Sequence, residues 1–375
     1  MGKQPVRILQ MIGSLEVGGS QAMILNLYRA IDRAKVQFDF VVDHPDKMDL
    51  APEVRALGAK IYFMPTFRGT NILQVLYAWN KFFAEHPEYK VLHTHVRSYA
   101  SVYLPIAKKH GVTTIAHSHS TSNGKGIKAT VKNLMQLPIR KQADYLFACS
   151  QEAGEWLYGK RACKQSNFRI IPNAIDFQKF AFDPEKRAEM RKRLNLQDQF
   201  VIGHVGRFVE PKNHDFLIDV FSEYHKSSPN SRLLLVGDGP LMSQIIQKCR
   251  TLNISDKVLF VGAQKNAADY YQAMDVFVFP SKWEGMPLTI VEAQVNGVPL
   301  LISDNVSKEA IASKQIKRLS IQDNNLWCNE LIKLNNNYQK VEKRFVFSNQ
   351  NGNHIFSLYD ITKSANKLQD IYLQI

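Results

Sequence analysis

The chain has 375 residues, 45% of them hydrophobic and 22% charged, and carries a formal net charge of +14. That length supports two domains with separate cores, and the composition excludes a disordered chain. Four scattered cysteines with no C-x-x-C exclude a disulfide framework and a zinc knuckle, and no apolar run of about 18 residues is present to span a bilayer.

Short apolar runs rich in β-branched and aromatic residues at 6–12, 38–43, 60–64, 90–95, 113–119 and 145–150 each predict a strand. Between them, Ile24, Leu27, Tyr28 and Ile31 follow the helical period, as do Ile72, Val75, Leu76 and Trp79. Such alternation implies a parallel sheet covered on both faces. From Glu88 to Asp144 the chain has no acid but nine basic residues, a one-sign field that attracts anions. In that region Ile127, Val131, Leu134 and Met135 share a helical face with Lys125, Lys128 and Lys132 beside it. The pattern suits an interfacial anchor on an anionic leaflet; a core-facing helix with solvated lysines is the other reading.

The strand–helix pattern restarts after Ile171-Pro172-Asn173-Ala174-Ile175-Asp176 and a polar stretch over 183–198, with strands predicted at 200–205, 232–237, 258–262, 275–280 and 298–302. The Asn-rich segment 335–353 reads as irregular, and Ile361, Ala365, Leu368, Ile371 and Tyr372 predict a last helix. The expected fold is α/β, with two doubly wound Rossmann-like domains facing a cleft. The first covers 1–172, with a helix at about 355–375 packing back on it, and the second covers 173–354.

Two loops of the second half carry chemistry. After the strand at 200–205 come Gly206, which allows close backbone approach, then Arg207 and Lys212, a cation pair suited to a diphosphate. After the strand at 275–280 come Glu284, Gly285 and Met286; Pro287 then fits the first turn of a helix that begins about Leu288 and stops at Gly297. The free N–H groups over 286–289 and the helix dipole favour a phosphate. Glu284 can reach sugar hydroxyls, and Glu292 can accept hydrogen bonds from a ribose diol. The E-x7-E spacing is weak by itself and becomes specific only in this strand–loop–Pro–helix–Gly setting. Solvated side chains at a domain edge are the plainer reading of all four. No D-x-D occurs, so no metal clamp on the diphosphate is expected, and no cofactor.

Together with Val17-Gly18-Gly19-Ser20, Leu92-His93-Thr94-His95, Ile115-Ala116-His117-Ser118-His119, Ile171-Pro172-Asn173 and Val236-Gly237-Asp238-Gly239-Pro240, these pieces resemble the retaining GT-B glycosyltransferases of family four, in particular their bacterial capsular and exopolysaccharide branch. The resemblance implies transfer of a hexose or N-acetylhexosamine from a nucleotide sugar, a UDP-sugar, to a polyprenyl-diphosphate-linked glycan. By that similarity Arg207 and Lys212 hold the diphosphate, Glu284 meets the sugar, Glu292 meets the ribose, and Gly18 and Gly19 approach the donor phosphates or the acceptor. His119 would face the reacting centre, and His95 would stand on the acceptor side; a satisfied structural histidine is the alternative for each. Gln21 stands where the family often has Glu, so no carboxylate role carries over there. The expected place is the cytoplasm, peripheral at the inner face of the plasma membrane, with no nucleic-acid partner because no binding motif accompanies the charge. A nucleotide-sugar epimerase of the same architecture is the rival function.

Overall fold

The computed structural model describes residues 4–16, 19–119, 126–264, 266–284, 287–306, 311, 316–336 and 359–375, with the side chains of 127–129 outside the description. Contacts divide the chain into two compact units, Met1–Ile175 with Leu358–Ile375, and Asp176–Ser357.

The first unit holds β1 (Val6–Gly13), β2 (Val36–Val42), β3 (Ile61–Phe63), β4 (Val91–Thr94), β5 (Thr113–Ser118), β6 (Tyr145–Ala148) and β7 (Phe168–Ile170). They form one parallel sheet in the order β3-β2-β1-β4-β5-β6-β7. The second unit holds β8 (Phe200–Val205), β9 (Ser231–Val236), β10 (Val258–Phe260), β11 (Val276–Phe279), β12 (Leu300–Ser303) and β13 (Ile316–Leu319). Its parallel order is β10-β9-β8-β11-β12-β13. Strand order reverses beside β1 in one sheet and beside β8 in the other, and ligands of open α/β sheets bind at the carboxyl ends of such strands.

Both sheets are buried on two faces, so their strands read as nearly continuous apolar runs. β2 is buried at every residue although it contains Asp39. Arg7 satisfies that carboxylate with Nη2 at 2.6 Å, helped by the Tyr89 hydroxyl at 2.7 Å and the Lys60 N–H at 2.6 Å. The C-terminal helix Ile361–Gln374 is capped by Asp360, which accepts from Thr362 N at 2.8 Å. It buries Ile361, Ala365, Leu368 and Tyr372 against the first sheet.

Several elements differ from the sequence expectation. β7 is a three-residue strand centred on Arg169, and β13 is an edge strand that carries Lys317 and Arg318. Edge strands tolerate charge because one side of the ladder is unpaired, and that charge hides their strand character. The polar stretch over 183–198 contains the helix Pro184–Arg193, capped by Asp183 through Glu185 N at 3.0 Å. Asn335 and Asn336 end the helix Asn324–Asn336 instead of starting a loop, while 337–353 lies outside the described residues. Ile72 is 43% exposed, so the buried stripe of its helix runs through Val75 and Trp79.

The helix Pro184–Arg193 is tied to β11 through a buried charge cluster. Asp275 bonds the Arg187 guanidinium, Arg191 Nη1 at 3.0 Å and the Val201 N–H at 2.8 Å. Removing one member strands the others in low dielectric. Asp275→Ala is expected to lower the unfolding free energy by about 3–5 kcal/mol, as measured by urea denaturation.

Candidate active site

In the second unit the carboxyl ends of the adjacent strands β8 and β11 bring four of the sequence-selected residues together. Glycine is needed at two points of this turn. At position 206 a Cβ would stand 2.9 Å from His204 Nε2 and 3.4 Å from the Lys212 stem, and at 237, where φ is +142°, one would stand 2.1 Å from the Gly206 carbonyl oxygen. A short 3-10 turn, Glu210–Lys212, then places Lys212, and Asn213 follows in the left-handed region at φ 56°. Asn213 Nδ2 donates to the Pro280 carbonyl at 3.1 Å, which fastens the β8 loop to the end of β11. Lys212 Nζ consequently meets Glu284 Oε1 at 2.7 Å and lies 4.6 Å above the Phe279 ring. Arg207 is exposed and makes no ion pair among the described residues.

Beneath Lys212 lie two buried histidines. His204 Nδ1 donates to the Val278 carbonyl at 2.8 Å, which leaves Nε2 as an acceptor with no partner. Burial pushes His204 down to about 4 and His214 down to about 2, and the Lys212 charge adds to both shifts. The pocket floor is therefore neutral.

The helix Leu288–Asn296 begins beside this pair. Pro287 is its N-cap residue instead of a residue of the first turn, no side chain caps the free N–H groups, and Gly297 closes the helix at φ 75°. The hydroxyls of Thr289 and Ser281 are buried with no partner among the described residues, which is costly unless a ligand satisfies them. Glu292 Oε2 accepts from the Tyr271 hydroxyl at 2.9 Å. Burial raises its carboxyl to about 7, opposed by the Tyr271 hydrogen bond and the charges of Lys179 and Lys212. Gly285 and Met286 lie outside the described residues.

In the first unit Gly18 is also outside the described residues, and Gly19 opens the helix Gly19–Ala30 with open space where a Cβ would sit. Gln21 Nε2 donates to Ser14 Oγ at 3.3 Å, so it ties the helix to the turn after β1. The paired H-x-H sequences of β4 and β5 put His93, His95, His117 and His119 on one sheet face. His93 Nε2 and His117 Nδ1 are 3.2 Å apart, and His95 Nδ1 and His119 Nε2 are 2.7 Å apart. His93 Nδ1 also meets the Tyr372 hydroxyl at 2.6 Å, and His95 Nε2 meets Gln10 Oε1 at 2.9 Å. Burial lowers His93, His95 and His117 well below the ordinary range and His119 to about 3. His93, His95 and His117 offer nitrogens within 4.8 Å of one another, but both ring nitrogens of His93 and of His95 already hold hydrogen bonds. An ion would have to displace them.

On the helix Ile127–Gln136, Val131 is 50% and Leu134 61% exposed, Lys132 is exposed, and Met135 packs on the core. Lys125 lies outside the described residues, as does the side chain of Lys128. No described helix is long and apolar enough to cross a membrane.

Sequence reading missed Gln10, His204, Tyr271, Ser281, Thr289 and Tyr372. A signal existed for two of them: Gln10 and His204 are polar residues inside the apolar runs of their strands. Tyr372 lies 362 residues from Gln10, and no local pattern joins them.

Residues 17–179 match the family described as "Glycosyltransferase Family 4", and residues 185–345 match "Glycosyl transferases group 1". The putative glycosyltransferase EpsF of Bacillus subtilis is 31% identical over 331 residues, 86% of each chain. The UDP-Gal:alpha-D-GlcNAc-diphosphoundecaprenol alpha-1,3-galactosyltransferase of Escherichia coli is 26% identical over 332 residues, 85% of this chain and 84% of that one. HepE of Anabaena, solved with UDP and glucose, superposes with a TM-score of 0.77 at 17% identity over 98% of this chain and 99% of its own. WaaG, a glycosyltransferase of lipopolysaccharide biosynthesis, superposes with a TM-score of 0.74 at 14% identity over 97% and 99%. The structural likenesses concern the fold, and none of these relatives supports the epimerase alternative.

The raised Glu292 carboxyl has a consequence for stability. Between the ordinary carboxyl value of 4.5 and about 7, the folded state holds more protons at this position than the unfolded state. This contribution is thus complete below pH 4.5 and is lost as pH rises to about 7. Glu292→Gln should flatten the decline in melting temperature across that window relative to the native chain.

Proposed function

Because this chain belongs to glycosyltransferase family 4 and has its GT-B fold of two parallel-sheet units, we propose that it transfers a sugar, with retention, from a UDP-sugar to a lipid-linked glycan in exopolysaccharide or capsule synthesis. The observation that carries the donor assignment is the Lys212–Glu284 pair, held at the carboxyl ends of β8 and β11 beside an uncapped helix and two orphan hydroxyls. The UDP-bearing HepE structure and the UDP-Gal-dependent relative point to the same nucleotide.

When the glycosidic bond breaks, negative charge gathers on the departing diphosphate. Arg207, with no competing ion pair among the described residues, and Lys212 are the groups that offset it, together with the N–H groups at the start of the Leu288–Asn296 helix. Each preorganised donor of this kind is worth about 2–4 kcal/mol in the transition state. Lys212 moves from Glu284 to the diphosphate, and Glu284 is released to accept hydroxyls of the transferred sugar. The ionised Glu292 accepts the ribose diol, and the backbone at Gly206, Pro287 and Leu288 lines the nucleotide. Neither glutamate acts as nucleophile: the acceptor hydroxyl attacks on the leaving-group side and a phosphate oxygen takes its proton. Cationic side chains replace a metal clamp, in line with the lack of D-x-D. In the first unit, His119 accepts a hydrogen bond from a substrate hydroxyl, with His95 behind it.

The acceptor reaches the enzyme at an anionic membrane surface. Val131 and Leu134 supply the apolar face and Lys132 the charge, on a stretch free of acids.

Arg207→Ala and Lys212→Ala should each lower transfer at least about a hundredfold while the melting temperature stays near native; native rates in both would refute the donor assignment. UDP affinity should rise with pH up to about 7, where Glu292 ionises, and this rise should disappear in Glu292→Gln. Sedimentation with phosphatidylglycerol vesicles, but not with phosphatidylcholine vesicles, should carry the protein down and weaken in Lys132→Glu/Leu134→Glu. Equal binding to both lipids would remove the membrane assignment.

A further inference from the structure

The hydrogen bonds around the four histidines run in one direction, and that direction decides which nitrogen His119 shows to a ligand. His117 Nε2 is buried and has no hydrogen-bond partner among the described residues. The Gln10 amide sets the direction: its Nε2 donates to the Tyr372 hydroxyl at 3.2 Å, and its Oε1 lies 2.9 Å from His95 Nε2. An amide oxygen only accepts, so the proton of His95 is on Nε2 and its Nδ1 is an acceptor.

Every later step follows for neutral imidazoles. Tyr372, whose oxygen faces the Gln10 amide donor, gives its own proton to His93 Nδ1, so His93 Nε2 donates to His117 Nδ1. His95 Nδ1 in turn accepts from His119 Nε2 at 2.7 Å. The remaining atom, His119 Nδ1, is a buried lone pair with no partner among the described residues. Reversing the Gln10 amide would reverse every bond and put the proton of His119 on Nδ1.

We propose that Gln10 is a positioning residue for sugar transfer: held by Tyr372 of the C-terminal helix and acting through His95, it locks His119 in the Nε2–H tautomer, so that Nδ1 receives a hydrogen bond from a substrate hydroxyl. This rests on the role given to His119 under the proposed function, and it adds the identity of the receiving nitrogen and the residue that fixes it. A group that offers only a lone pair selects an O–H donor and rejects an anionic or carbonyl oxygen, so the lock excludes phosphate from this position while the diphosphate is held by cations on the other unit. Leucine at position 10 removes the acceptor for His95, after which His95 and His119 can exchange tautomers. Glutamate at position 10 keeps an acceptor for His95 and, when protonated, a donor for Tyr372.

The test is long-range 1H–15N correlation on the full chain labelled with 15N-histidine, with His119→Ala to assign the ring, beside transfer kinetics and UDP binding. The native chain should show His119 with Nε2 protonated and Nδ1 free. Gln10→Leu should show mixed tautomers and about a tenfold lower kcat, the weight of one hydrogen bond, with UDP affinity changed less than about twofold. Gln10→Glu should restore both the tautomer and the rate. A native His119 protonated on Nδ1, or an unchanged tautomer in Gln10→Leu, overturns the role of Gln10. Native transfer by His119→Ala overturns instead the part given to His119 in the reaction, whatever the tautomer does.

Discussion

A parallel sheet covered on both faces has no wet side, so any polar group within it must find a partner or be neutral. This constraint shapes both units. Asp39 and Asp275 stand at positions that would otherwise be apolar, and a guanidinium and a backbone N–H meet each carboxylate. Six histidines, four of them buried and His95 and His119 half-buried, take the other course: desolvation keeps them neutral, and their hydrogen bonds need only donors matched with acceptors. Open positions for charge remain at the carboxyl ends of the strands, and the cations of the candidate site are found there.

Lys212 shows how little such a charge contributes to folding and how much it can contribute to chemistry. Its bond to Glu284 is partly screened, with side-chain exposures of 16% and 19%, and ion pairs of this kind add at most about 1 kcal/mol net. Burial is the main cause of the shifts at His204, His214 and Glu292, and the same ammonium acts on all three: it adds to the lowering of both histidines and opposes the rise of the carboxyl. A charge that does little for stability yet is felt by three buried groups beside orphan hydroxyls suits the anionic ligand proposed for it.

The parts of this molecule that sequence reveals are those in which chemistry and periodicity coincide. Gly206, Lys212, Glu284 and Glu292 were legible because each sits at a fixed offset from an apolar strand and a helix start or stop. β13 and β7 were not, since Lys317, Arg318 and Arg169 interrupt the apolar pattern that a central strand would keep. The helix Pro184–Arg193 was hidden for a related reason: its buried face is Met190 flanked by Arg187 and Arg191, which enter the interior because Asp275 meets them there. A hydropathy pattern cannot register a buried residue whose partner is more than eighty positions away.

The histidine cluster marks the limit more sharply. The two H-x-H sequences announce one sheet face, because alternate residues of a strand point the same way and β4 pairs with β5. What they do not announce is polarity. Four neutral imidazoles are compatible with two opposite proton arrangements, and the choice between them is made by the amide of a glutamine on β1, held by a tyrosine of the last helix. Those residues come from four separate stretches of chain, and only the folded unit joins them. The C-terminal helix is therefore more than a cover for the first sheet: by supplying the hydroxyl that orients Gln10, it completes the circuit that ends at His119.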